Sequence, residues 1–167
     1  MTFERPRTGL AGLLFAVLLG GALSLRAQDR DPADDAPVEV APSLDELKLV
    51  AQQAAIPHLG GGNPFILRES TWSGTVEPGK TRLIQVQLFK RNDYHFWIAM
   101  PDRKAAVNLN LYNGKGELLE AKSLRYESPN IASLITSPTE TGVYYLRISL
   151  QTTVGKAQPW TVIYAYR

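Results

Sequence analysis

No cysteine occurs in the 167 residues. That absence excludes disulfide staples, thiolate metal sites, thiol nucleophiles and thiol redox sensing, so stability has to come from a buried apolar core. Histidine is nearly as scarce, with only His58 and His95. A zinc site would need both of them plus a carboxylate. A Ser-His-Asp arrangement can be drawn from Asp93, His95 and one of several serines, but no Gly-x-Ser-x-Gly elbow supports it. The carboxylates after residue 60 are Glu69, Glu77, Asp93, Asp102, Glu117, Glu120, Glu127 and Glu140. Most fall at expected turns or strand ends, and no two stand out as the pair that glycoside hydrolysis requires. The expectation is a protein that is not an enzyme, with no catalytic residue, no metal and no cofactor.

Long apolar runs are also missing, with one exception near the start. Arg5 and Arg7 precede an apolar run from Leu10 to Leu25 that ends among the small residues Ala22, Ser24 and Ala27. This is the pattern of a secretory signal peptide over residues 1–27, with cleavage after Ser24 or Ala27. A retained anchor is the competing reading. The run is broken by Gly12, Gly20 and Gly21 and is shorter than the ~20 residues of a typical span. Without cysteine there is no site for a lipid tether. The expected location is periplasmic or extracellular, with no stable membrane insertion after signal cleavage.

Charge of either sign is close to balanced once residues 1–27 are set aside, but it is unevenly placed. Residues 28–48 hold seven acids and two bases, whereas residues 49–167 hold eight acids and 13 bases. An acidic, Pro- and Ala-rich stretch over 28–42 reads as a solvated linker, or as a segment that lies against the mildly basic domain. The basic excess is small, and Asp93 and Asp102 share turns with Lys90-Arg91 and Arg103-Lys104. Nucleic acid is therefore not expected as a partner. These basic residues, with Lys80, Arg82, Arg125 and Arg147, suit an anionic polysaccharide or an acidic surface better.

What is present begins with Ser43-Leu44-Asp45-Glu46, which fits a capping box. Leu44, Leu47, Val50, Ala51 and Ala54 then recur at helical spacing. The spacing predicts a short amphipathic helix over 44–55, stopped by Pro57 and Gly60-Gly61-Gly62, its apolar stripe docked on the domain or offered to a partner. The Gly-rich stretch lacks a following Lys-Ser or Lys-Thr, so it reads as a hinge rather than a phosphate loop, and residues 43–63 as the short helix followed by that hinge.

From Phe65 the apolar period changes to two, with turn residues every eight to twelve positions. Expected strands are 71–77, 81–89, 94–100, 107–112, 118–122, 131–136, 143–150 and 160–166, with no helix after residue 56. Asn113-Gly114-Lys115-Gly116 supplies a tight hairpin into the 118–122 strand. The fold class is all-β, an antiparallel β-sandwich over 64–167 with about eight strands, those at 94–100 and 107–112 half-buried.

These segments resemble the bacterial pre-peptidase C-terminal domain, a β-sandwich attached to secreted peptidases and other exported proteins. The likeness lies in Gly74–Phe89, the aromatic strand Tyr94–Ile98, the Leu109-Tyr112-Asn113-Gly116 hairpin and Gly142-Val143-Tyr144-Tyr145, and it covers roughly residues 71–166. It implies an accessory or binding role. Some members of that family carry a calcium site beside the leucine-tyrosine strand. Here Asn108, Asn110 and Asn113 stand there, and neutral amides supply too little charge for a tight site. Calcium is therefore not expected.

Trp72, Trp97, Tyr112, Tyr145 and Trp160 are placed by parity opposite the main core set. They form an exposed contact face, or a second sheet or the helix covers them. The candidate ligand-binding residues are Trp97, Tyr112, Asn108 and Asn110. The expected function is a binding module for a protein partner or envelope polymer of unknown identity, with a lectin-like carbohydrate-binding module, using amides such as Gln87 beside the aromatics, as the alternative.

Overall fold

A computed structural model describes residues 42–152 and 155–167. The expected signal peptide and all but the last residue of the acidic linker lie outside the described residues.

The chain enters through α1 (Leu44–Ala55), whose capping box forms as the sequence predicts. The Ser43 N–H donates to Glu46 Oε2 at 2.6 Å and the Glu46 N–H donates to Ser43 Oγ at 3.2 Å. Two of the backbone donors that a helix start leaves open are thereby satisfied. A single 3-10 turn, Ile56–His58, ends the helix at Pro57. Gly60–Gly62 forms a bend that closes when the Phe65 N–H donates to the His58 carbonyl.

Nine strands follow among the described residues: β1 (Ile66–Leu67), β2 (Trp72–Val76), β3 (Thr81–Leu88), β4 (Tyr94–Ala99), β5 (Ala106–Asn113), β6 (Lys122–Arg125), β7 (Ile131–Thr136), β8 (Gly142–Gln151) and β9 (Gln158–Tyr166). They make two antiparallel sheets. One runs β1-β9-β4-β7-β6, with β2 pairing the same strand β9, and the other is β3-β8-β5. The inner faces meet in one core that includes Ile84, Val86 and Leu88 of β3, Phe96 and Ile98 of β4, and Leu109 and Leu111 of β5. The period-two pattern of β3, β5 and β8 is what one buried and one open face require.

Two expectations change. The 94–100 strand is not half-buried: all six residues of β4 are buried. Tyr94, Phe96 and Ile98 face the inter-sheet core, while Trp97 and Ala99 lie under α1 with Ala51, Ala55, Ile163 and Ala165. Alanine on the facing side of α1 lets the helix backbone come close enough to seal that surface. The hairpin after β5 also differs. Asn113 Oδ1 accepts from the Lys115 and Glu117 N–H groups, and Gly116 takes the left-handed φ of 81° that the turn needs. The return past it is only one bridge, Tyr112 to Leu118, before the chain crosses to β6 in the other sheet. Leu118 is 60% exposed, while Leu119 packs against the inter-sheet core.

Candidate functional site

Burial sorts the five aromatic candidates. Trp160 is in the inter-sheet core, and Trp72 is half-buried, its ring centroid 5.1 Å from that of Tyr164. Trp97, expected as a surface contact, is 0% exposed. Its indole N–H donates to the Tyr126 hydroxyl at 3.0 Å, and the His95 ring stacks on it at 3.7 Å between centroids. It is a packing residue beneath α1, so it cannot touch a ligand on the surface. Tyr112 and Tyr145 alone remain on an open face.

That face is the outer side of the β3-β8-β5 sheet. Side chains alternate across a strand, so the partners of the even residues of β5 are the odd residues of β8 and β3. Register then sets three rows: Gln85, Tyr145 and Tyr112; Leu83, Arg147 and Asn110; Thr81, Ser149 and Asn108. Tyr112, Asn108 and Asn110 are thus brought together as the sequence predicts, on one strand and one face, and Trp97 is on the other sheet. Asn108, Gln85 and Gln87 are exposed, and Asn110, Tyr112, Tyr145 and Arg147 are half-buried. Across a row, side chains sit about 5 Å apart at Cβ, and about 7–8 Å on the diagonal. A ligand of sugar-ring dimensions therefore spans two or three of them. The contribution of Arg147 was hidden in the sequence because β5 and β8 are far apart in the chain, and only their pairing puts Arg147 beside Asn110.

The three strands contain no Asp or Glu, and their only charged residues are Arg82 and Arg147. Arg82 is occupied, its Nε donating to the Thr75 carbonyl at 2.9 Å. Among the described residues the one ion pair is Arg167 with Asp93, at 3.1 Å, well away from this face.

Beside the face, where β5 is the sheet edge, a groove of about 500 Å³ opens toward β6 and β7. Asn108, Asn110, Ser123, Arg125 and Ala132 are among its lining residues, and no carboxylate is. Edge position explains the groove. The Val107 N–H points away from β8 and donates to the Pro129 carbonyl, and the Leu111 carbonyl, on the same side, accepts from Leu119. By alternation the N–H and C=O of Leu109 between them point into the groove.

A second cluster lies under α1. His95 Nε2 is 2.9 Å from Ser133 Oγ, and Ser133 Oγ also accepts from the Tyr126 hydroxyl at 3.3 Å. This is the nucleophile-and-base contact that a hydrolase would use, and the sequence did not single out Ser133. His95 is 0% and Ser133 1% exposed. His95 Nδ1 has no partner, so no carboxylate orients the ring. Asp93 is engaged elsewhere: the Ser137 hydroxyl lowers its carboxyl pKa most, against the effect of burial, with Arg167 adding to the lowering. Burial pushes the His95 pKa down to about 3, with the positive charges of His58 and Arg167 acting in the same direction. Burial lowers His58 as well. A buried imidazole held neutral, with no carboxylate to orient it, supports packing rather than turnover, although Ser133 and Tyr126 also border the groove.

No group of three or more His, Asp or Glu side chains is placed to hold a metal ion among the described residues. No protein-family model matches the chain, and no curated protein matches its sequence.

Proposed function

We propose that this protein is an exported, non-catalytic β-sandwich binding module of the kind the pre-peptidase C-terminal domain exemplifies, and that it contacts a partner protein or envelope polymer through the outer face of β3-β8-β5. One observation carries the reading: Asn108, Asn110 and Tyr112 share that face, in register, with Tyr145, Arg147 and Gln85. Uncovered amides and aromatic rings on a flat sheet suit recognition.

The lectin-like alternative has a specific observation in its favour. Burial of Trp97 removes the large apolar anchor that a protein contact would use. What is left, two tyrosines flanked by amides, matches the ring faces and hydroxyls of a sugar.

The test uses the full-length protein, expressed for export and purified from the periplasm or medium. N-terminal sequencing reads the site of signal removal, expected before Leu25 or Gln28. Binding is then measured against a panel of soluble polysaccharides and, separately, purified envelope proteins. Tyr112→Ala and Tyr145→Ala are expected to weaken capture about tenfold or more while leaving the thermal transition in place. Capture that is unchanged in both variants sinks the assignment of this face.

A further inference from the structure

We infer that the polymer bound by this face is a carboxylate-bearing polysaccharide, a polyuronate, held by Arg147 and Arg125 on either side of Asn108 and Asn110. The inference rests on the binding-face reading above and adds the chemical class of the ligand.

The argument starts from charge. Residues 49–167 contain eight acids, yet β3, β5 and β8 and the lining of the adjoining groove contain none. Among the described residues no carboxylate pairs with either of two guanidinium groups in that acid-free area, Arg147 on the face and Arg125 in the groove. Arg147, half-buried between Leu83 and Asn110, has lost part of its hydration, so an incoming anion is favoured there more than at a fully hydrated lysine, while Arg125 is an exposed cation at the groove. The planar fork of arginine pairs with a carboxylate through two parallel hydrogen bonds.

The neighbours select the rest of the ligand. Tyr145 lies two positions before Arg147 on the same face of β8, and Tyr112 is opposite Tyr145. A pyranose ring laid on either tyrosine would bring its C6 carboxylate toward Arg147, with the ring hydroxyls near Asn110 and Gln85. Asn108 and Asn110 border both the face and the groove, so a chain leaving Arg147 crosses the β5 edge and meets Arg125. Two separated cations with amides between them fit a repeating anion better than a single acidic sugar. An acidic peptide has the charge but not the successive ring faces and hydroxyls.

The experiment compares polygalacturonate with its fully methyl-esterified form, which keeps the sugar backbone and loses the charge. Polyglutamate serves as the peptide anion, and the full-length exported protein is used throughout. The wild type should bind polygalacturonate about tenfold or more tightly than the ester, with affinity falling as salt rises. Arg147→Gln should abolish that preference, Arg147→Lys should restore part of it, and Arg125→Gln should reduce it for long chains. Tyr112→Ala should weaken acid and ester alike. Equal wild-type binding to acid and ester overturns the inference while leaving the binding face intact, and so does a preference that survives Arg147→Gln. Tighter binding to polyglutamate reassigns the ligand to acidic peptides and also overturns it. Failure of every polysaccharide to bind overturns the inference and leaves the binding-face reading to the envelope-protein panel. The acid-against-ester comparison needs no variant, so a poorly folded Arg147→Gln does not block the decision.

Discussion

His95 Nε2 and Ser133 Oγ, from neighbouring strands β4 and β7, meet at 2.9 Å beneath α1. The contact is buried, and it ties the central strand of the larger sheet to the hydroxyl of Tyr126 through Ser133. Its consequences are for stability.

The His95 pKa is lowered from 6.5 to about 3 in the folded protein. The unfolded chain therefore takes up a proton near pH 6.5 that the folded one refuses until near pH 3. Stability from this group is fully present above pH 6.5 and is lost as pH falls toward 3, at a limiting slope of about 1.4 kcal/mol per pH unit. Urea unfolding between pH 7.5 and 4 should show that decline, and His95→Gln should flatten it. A decline of the same size in His95→Gln would assign the effect to other groups.

Ser133→Ala removes a hydroxyl that buried His95 and half-buried Tyr126 use, leaving His95 Nε2 without a partner. A loss of about 1–3 kcal/mol is expected from chemical denaturation, with ligand binding at the β3-β8-β5 face unchanged. Loss of a measured hydrolytic activity, with stability retained, would instead assign chemistry to the pair.

Gly74 on β2 is pressed against Trp160. A Cβ added there would lie 2.9 Å from indole Cζ2 and 3.2 Å from Cε2. Gly74→Ala must push a 5%-exposed tryptophan off its place in the core, at a cost of about 1–3 kcal/mol. Thermal unfolding measures the cost, and a shift in tryptophan emission reports the displaced ring. An unchanged transition would mean that β2 yields without cost.

Ser43→Ala removes the hydroxyl that accepts from the Glu46 N–H, and leaves the residue 43 N–H to donate to the Glu46 carboxylate. The expected loss is about 1 kcal/mol, concentrated in α1. Amide hydrogen exchange should therefore accelerate over Leu47–Ala55 before it does in β8 or β9. Uniform acceleration across all of these segments would show that α1 and the sheets open as one unit.

The limits of α1 were legible because capping and helical spacing are local, and Pro57 closes the pattern. The alternation of β3, β5 and β8 was legible for a related reason: a strand with one face in water must alternate. β4 was misread because the polar atoms of Tyr94, His95 and Trp97 find their partners outside the strand, at Phe89 and Asn92, Ser133, and Tyr126, and nothing in the strand itself says that a helix will cover it. The same tertiary contact hid Trp97 from correct placement. Tyr112, Asn108 and Asn110 were placed together because they lie on one strand. Arg147 and Ser133 join their partners only through strand pairing, across intervals that local pattern cannot register.

The covering of Trp97 by α1 also sets where the folding unit begins. The described residues from α1 to β9 lie in one compact unit, and α1 packs directly on β4 and β9. A fragment beginning at residue 60 would leave Trp97, Ala99, Ile163 and Ala165 facing water as one apolar patch. Such a fragment would be expected to self-associate, and a polymer captured by it would report that exposed patch instead of the tyrosine and arginine face on the opposite sheet.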